Sequence, residues 1–182
     1  MKSLVISFIL LLGVISAFPA HALQSDEKSD EFVLENVDAI QAIAIANQWK
    51  WSNKEIKSSV NSREVVFQFP GGKVKKIPLS EEKMVVAFAP YIKGTHACIT
   101  HNFSSCQGEL VQQTFSVKAV DQDNKNVLVD ETITTLQNGF FEIWLPRNRR
   151  IMVSVRGGDL IAKGVIETFP DSKTCVTTFQ LQ

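Results

Sequence analysis

The chain has 182 residues, 45% of them hydrophobic, so it can bury a core without depending on disulfides or metal ions to fold. Its 19 basic and 19 acidic residues balance, and the absence of a long basic run gives no argument for nucleic acid as a partner. Three cysteines are an odd number, so any intrachain pairing leaves a thiol over that needs its own explanation.

The N-terminus has the pattern of a secretory signal peptide. Lys2 precedes an apolar run, residues 4–17, which is shorter than the roughly 20 residues that a membrane span needs. Ala20-His21-Ala22 then supplies the small residues that a signal peptidase recognises. We therefore predict a signal peptide over residues 1–22 and an exported mature chain, with a retained membrane anchor as the less favoured alternative.

The next part of the chain mixes helix and strand signals. Residues 23–30 are polar and charged and predict a disordered leader. Residues 31–51 carry apolar side chains at helical spacing and predict a helix. Ser52-Asn53-Lys54-Glu55 has the spacing of a capping box, which predicts a second, short helix up to about Val60.

A change of period after residue 63 predicts strands. Residues 64–69 and 73–78 flank Pro70-Gly71-Gly72 and predict a β-hairpin. Residues 84–92 predict a strongly apolar strand that leads into a region rich in cysteine and histidine. We group residues 31–92 as an N-terminal part made of helix and β-hairpin.

Residues 93–182 predict an antiparallel β-sandwich, because short apolar runs alternate with turn signals. Among these signals, Asn138-Gly139 is typical of a β-hairpin. The run from Val117 to Pro146 also resembles the prealbumin-like sandwich. We therefore expect a mainly-β protein with a small helical N-terminal part (α+β), whose main domain is an antiparallel, prealbumin-like β-sandwich. The predicted strands cover residues 115–119, 127–134, 140–145, 149–156, 160–169 and 174–181.

Soft metal ligands are concentrated in residues 96–106. This stretch holds His96, Cys98, His101 and Cys106, whereas Cys175 lies near the C-terminus. In an extended segment, positions 96 and 98 point to the same side, and a turn would bring His101 back to the same centre. Thiolate and imidazole donors favour Cu(I) or Zn(II) over magnesium, calcium and manganese. Neither a CxxC nor an HExxH motif is present, so no standard zinc site is predicted.

The spacing alone leaves two interpretations open. The cysteines either bind a metal ion, or two of them form a structural disulfide that leaves the third idle, as is common in exported proteins. A single histidine is more often a surface residue than a ligand. No Ser-His-Asp triad or carboxylate pair stands out, so we predict no catalytic residue.

A longer pattern resembles a known family. The sequence Thr95-His96-x-Cys98-x2-His101-x4-Cys106-x-Gly108-Glu109-Leu110 resembles the signature of the CueP family of periplasmic copper-binding proteins. The likeness covers most of the chain from about residue 84 to the end. It continues through Ala89-Pro90-Tyr91, Val127-Leu128-Val129-Asp130-Glu131, Asn138-Gly139-Phe140, Trp144-Leu145-Pro146-Arg147 and Thr174-Cys175-x-Thr177-Thr178.

The resemblance implies a periplasmic protein of a Gram-negative bacterium that sequesters copper. It also implies delivery of the ion to a periplasmic copper–zinc superoxide dismutase, and a homodimer formed through the N-terminal part. We expect a Cu(I)-binding protein rather than an enzyme, and a thiol-based Cu(II) or Fe(III) reductase or a disulfide-exchange protein is the alternative. The expected metal ligands are Cys98, Cys106, Cys175, His101 and His96.

The cysteines are also expected to have an oxidised state. A bond between Cys98 and Cys175 would close a long loop and stabilise the fold by about 4 kcal/mol in the chain-entropy model, whereas Cys98 with Cys106 would close a short one. We therefore predict that Cys98 and Cys175 pair and that Cys106 stays free. This prediction requires the last strand to run beside the Cys98 loop.

Overall fold

The structure is a computed structural model that describes residues 29–52 and 55–182. The predicted signal peptide and most of the predicted leader lie outside these residues. The last two leader positions belong to a short helical segment, residues 29–33, and a longer helix, α1, spans Ala39–Trp49. Within the described ranges, no helix is both long and apolar enough to cross a membrane.

The single helix predicted for residues 31–51 is interrupted. Asn36 adopts a left-handed conformation with φ 61°, and α1 begins with a capping box two residues later. The side chain of Asp38 accepts a hydrogen bond from the Gln41 amide, and the Gln41 side chain accepts one from the Asp38 amide. The buried face of α1 ends at Trp49, whose ring contacts that of Phe67 edge-on.

The predicted mainly-β class with a small helical part is confirmed. The strands form three sheets with the orders β3-β2-β1-β5, β10-β9-β6-β7 and β11-β4-β8. One hydrophobic core receives side chains from α1 and from all three sheets. The strands are β1 (Lys57–Val60), β2 (Glu64–Gln68), β3 (Val74–Pro78), β4 (Lys83–Phe88), β5 (His101–Asn102), β6 (Thr114–Asp121), β7 (Val127–Thr134), β8 (Phe141–Pro146), β9 (Arg150–Gly157), β10 (Leu160–Glu167) and β11 (Cys175–Val176).

The second helix predicted after residue 52 is wrong over Lys57–Val60, which forms β1. Ser58 and Val60 are buried, as the side chains on one face of a strand are. β1 pairs antiparallel with β2 on one side and with β5 on the other. These pairings outweigh a local capping signal, because they satisfy the backbone and bury side chains at once.

The hairpin predicted at Asn138-Gly139 is wrong, although the turn itself is present. β7 and β8 lie in different sheets, so this turn carries the chain from one sheet to another. Gly139 has φ 75°, and a Cβ atom there would lie 2.6 Å from the Gly108 carbonyl oxygen. The Gly108 amide donates to the Asn138 carbonyl at 2.7 Å, so the turn holds the segment that follows Cys106.

The last strand is shorter than predicted and pairs differently. Only Cys175–Val176 forms a strand, β11, and it runs parallel to β4 in a structure whose other strand pairs are antiparallel. Further on, a single parallel bridge joins Tyr91 to Gln180. The division of the chain near residue 92 stays a prediction, and the β1–β5 and β4–β8 pairings both cross it.

Candidate metal centre

The loop that carries His96 and Cys98 lies between β4 and β5. The Glu109 carboxylate holds its beginning by accepting hydrogen bonds from the amides of Ile92, Lys93 and Gly94 at 2.9–3.3 Å. These bonds to the charged form lower the pKa of Glu109. The loop is therefore anchored by a side chain that follows the cysteine and histidine stretch.

His101 is placed by β-sheet pairing. It is opposite Val60 in the β1–β5 pair, and its amide donates to the Thr174 hydroxyl at 3.1 Å. The same hydroxyl donates to the Val60 carbonyl at 2.6 Å. The result is a fully buried imidazole next to the strand that carries Cys175.

The three cysteines meet beside this imidazole. Cys98 and Cys175 have their Sγ atoms at disulfide distance and their Cα atoms 5.6 Å apart. The Cys106 Sγ lies 3.6 Å from that of Cys98 and is the free, buried sulfur. The amides of Thr174 and Cys175 donate to the Ile99 carbonyl, so β11 does run beside the Cys98 loop. Which pair forms in solution stays a prediction.

Sheet register explains why Cys175 faces the cluster. Cys175 is opposite Ala87, and Ala87 is opposite Glu142, across the order β11-β4-β8. Residues directly opposite each other project to the same face of a sheet. Because Ala87 has the smallest of the three side chains, it leaves room between Cys175 and Glu142.

Two overlapping groups of potential ligands share Cys106. One group contains His96 and Cys98, and the other contains His101 and Cys175; within each group the ligand atoms lie within 4.8 Å of one another. His96 is exposed and Cys98 half-buried, whereas the second group is entirely buried. The structure therefore brings all five predicted ligands together, around one sulfur that both groups use.

The surroundings of the cluster are apolar and aromatic. Ala87, Phe140 and the buried cysteines form a small hydrophobic cluster apart from the main core. The His101 ring packs between Phe103 and Phe140, with ring centroids 4.8 and 4.6 Å away. Both aromatic rings are fully buried, so they restrict rotation of the imidazole and keep water from one side of the site.

The electrostatics keep His101 uncharged. Burial, with smaller contributions from Lys50 and His96, lowers the pKa of His101 from 6.5 to about 3. Neither imidazole nitrogen has a hydrogen-bond partner among the residues that the structure describes. The nearest carboxylate oxygen belongs to Glu142, 3.8 Å from Nε2, and the two do not form an ion pair at neutral pH. His101 can therefore offer a nitrogen lone pair to a metal ion.

Three polar residues of this site were not predicted from the sequence. Lys50 donates to the Cys106 carbonyl at 2.6 Å, and Asn47 donates to the Glu142 carboxylate at 3.0 Å. Asn47 and Lys50 are three residues apart at the end of α1, so one helix face reaches the metal centre. A signal for Glu142 exists, because a carboxylate in the apolar run from Phe140 to Leu145 must face something polar.

A surface cleft of about 610 Å³ opens beside the paired cysteines. Cys98 and Cys175 line it together with apolar residues such as Phe169 and with the charged residues Glu167, Asp171 and Lys173. Cys175 is buried and Cys98 half-buried, so a small thiol that enters from solvent would meet Cys98 first.

Comparisons with known proteins agree on one family. The family model described as periplasmic copper-binding protein CueP matches residues 36–180. The crystal structure described as that of S.CueP is similar, with a TM-score of 0.76 and 28% sequence identity over 92% of this chain and all of that chain. No curated protein matches the chain.

Proposed function

The chain belongs to the CueP family of periplasmic copper-binding proteins, and we propose that its reduced form binds one Cu(I) ion through its three cysteine thiolates. The observation that supports this is the convergence of the sulfur atoms on one buried point, with Cys106 common to both ligand groups. Soft, anionic sulfur donors favour Cu(I) over harder divalent ions.

The two histidines have different roles in this proposal. His101 is buried and uncharged, so it completes the inner side of the site without first losing a proton. His96 is exposed and lies on the outer side with Cys98. An ion that arrives from solvent would meet His96 first, so His96 assists capture and release more than it contributes to affinity.

The oxidised state would control capture. When Cys98 and Cys175 are joined, two thiolate ligands are lost together and Cys106 remains as the only free thiol. Copper binding would therefore depend on the redox state of the compartment. The cleft beside the pair supports this control, because it gives a reductant access to the sulfurs.

We further propose export to the periplasm of a Gram-negative bacterium and delivery of copper to a periplasmic copper–zinc superoxide dismutase. The signal-peptide pattern of residues 1–22 and the family match support the first part. The solvent side of the cluster, formed by His96 and Cys98, is where a recipient could take the ion. A homodimer through the N-terminal part belongs to the same proposal, and α1 and the segment before it expose Ile40 and Phe32 there.

A second candidate is thiol-based metal reduction. It is favoured by the arrangement of a pair at disulfide distance with a third sulfur 3.6 Å away. Oxidation of the Cys98 and Cys175 thiols to a disulfide would reduce two Cu(II) ions to Cu(I) and release two protons. Repeated turnover with a thiol that regenerates the cysteines would identify a reductase, since a binding protein consumes its thiols once.

Affinity measurements on ligand variants test the binding proposal. Cu(I) competition with a chromophoric chelator, carried out on fully reduced protein, should show one ion per chain. Cys106→Ser and Cys175→Ser should each weaken binding more than His96→Ala, because they remove anionic sulfur donors. Equal affinity in Cys106→Ser and wild type would contradict the proposed site. His96→Ala serves as the comparison, because it removes a potential ligand on the exposed side.

A further inference from the structure

We propose that Glu142, held by Asn47 of helix α1, is a positioning residue that accepts the Nε2–H of His101 and thereby presents Nδ1 to copper. The inference rests on the proposed function, and it adds a residue that is not one of the expected ligands. It also assigns the helix a direct part in building the metal centre.

Glu142 lies close to a buried imidazole that has no hydrogen-bond partner among the described residues. Glu142 Oε1 lies 3.8 Å from His101 Nε2, about 1 Å beyond hydrogen-bond length. The imidazole is fully buried, and neither nitrogen has a partner among the described residues. A neutral imidazole carries one N–H, which is costly to leave unpaired in a buried site. A small movement of the ring would give this N–H its partner.

Both the side chain and the backbone of Glu142 are held in place. Its carboxylate accepts a hydrogen bond from the Asn47 side chain at 3.0 Å, on the same oxygen that faces His101. Its backbone is fixed by strand pairing, as the second residue of β8 opposite Ala87 of β4. A side chain fixed at both ends can impose one orientation on its neighbour.

The aromatic neighbours of His101 leave the choice of nitrogen open. Phe103 and Phe140 contact the imidazole at centroid distances under 5 Å and restrict its plane. They cannot distinguish Nδ1 from Nε2, because neither has a polar group. Among the described residues Glu142 has the carboxyl group within 4 Å of an imidazole nitrogen, and in its ionised form it favours the proton on Nε2. A metal-binding histidine that donates its other N–H to a carboxylate is a more basic and better-oriented ligand.

The test compares Glu142→Leu, which removes the acceptor, with Glu142→Gln, which retains an oxygen that Asn47 can hold. Nitrogen-15 NMR of the imidazole, on reduced and metal-free protein, reports the His101 tautomer directly. We expect the Nε2–H tautomer in wild type and in Glu142→Gln, and a mixed or inverted tautomer in Glu142→Leu. Asn47→Leu should shift the tautomer in the same direction, and it replaces Glu142→Leu if that variant does not fold.

Cu(I) affinity provides the second readout. Glu142→Leu should weaken binding about 10- to 100-fold, the usual effect of removing such a partner, and Glu142→Gln should change it by less than about threefold. Glu131→Leu, the same substitution at an exposed site on β7, should leave both tautomer and affinity unchanged.

Three results would overturn the inference. They are a wild-type Nδ1–H tautomer, an unchanged tautomer in Glu142→Leu, and a loss of affinity in Glu142→Gln as large as in Glu142→Leu. The last result would show that the carboxylate itself binds the ion. Because the tautomer is measured without metal, it tests Glu142 even if wild-type protein fails to bind Cu(I), which would instead refute the proposed function.

Discussion

Closing the Cys98–Cys175 pair should stabilise the protein according to the length of the loop it closes. The two residues are 77 positions apart, and the chain-entropy relation gives about 4.5 kcal/mol for such a loop at 25 °C. Cys98 and Cys106 are 8 positions apart, and the same relation gives about 2.5 kcal/mol for that pair. The difference is large enough to tell a long loop closed by Cys175 from the short loop between Cys98 and Cys106.

Urea unfolding of air-oxidised and fully reduced protein measures this difference. Reduction should lower the free energy of unfolding of wild type by about 4.5 kcal/mol. Reduction should lower the free energy of unfolding of Cys106→Ser by the same amount, because this variant can still close the long loop. In Cys175→Ser the loss should fall to about 2.5 kcal/mol or less, since only the short loop can form. The assignment of the pair would be refuted if reduction destabilised Cys175→Ser as much as wild type, or if it did not destabilise Cys106→Ser.

Three further predictions follow from the same structure. The pKa of His101 is about 3 in the folded protein and 6.5 in the unfolded chain. Between pH 6.5 and pH 3 the unfolded chain therefore binds a proton that the folded protein does not, so the free energy of unfolding falls as the pH drops through this range. At pH 5 the loss should be about 2 kcal/mol, and His101→Gln should remove it from the pH profile of urea unfolding. Gly139→Ala should destabilise the protein by more than about 2 kcal/mol in thermal unfolding, because the new Cβ would meet the Gly108 backbone. Gly72 also has a positive φ but has open space around it, so Gly72→Ala should destabilise the protein by only about 1 kcal/mol. Ala87→Leu should abolish Cu(I) binding in a chelator competition and lower stability by about 1–3 kcal/mol, since it fills the space between Cys175 and Glu142; retained affinity would mean that the ion lies elsewhere.

Much of the fold was predictable because its signals are local. The strands β6 to β10 were predicted to within a few residues, since alternating apolar side chains and turn residues mark each one. Pairing was less predictable, because it depends on residues far apart in the chain. The turn at Asn138-Gly139 was expected to close a hairpin, yet β8 pairs with β4 instead.

The candidate site shows the same limit. The cysteines and histidines were recognisable from their residue types and their spacing in one motif. Glu142 is marked in the sequence only as a carboxylate in an apolar run, because its place in the site arises from the register that aligns it with Ala87 and Cys175 across three strands. Asn47 and Lys50 were missed for a similar reason, since a helix pattern identifies the buried face of α1 but not which loop meets its end.

Native mass spectrometry of the fully reduced mature protein tests most directly whether it binds one Cu(I) ion. The protein is incubated anaerobically with one equivalent of Cu(I) and an excess of Zn(II), and the intact complex is weighed under native conditions. We predict one Cu(I) per chain and no zinc, because three thiolates around a buried point favour the softer ion. Zinc in place of copper, or a chain that carries no metal, would contradict the account.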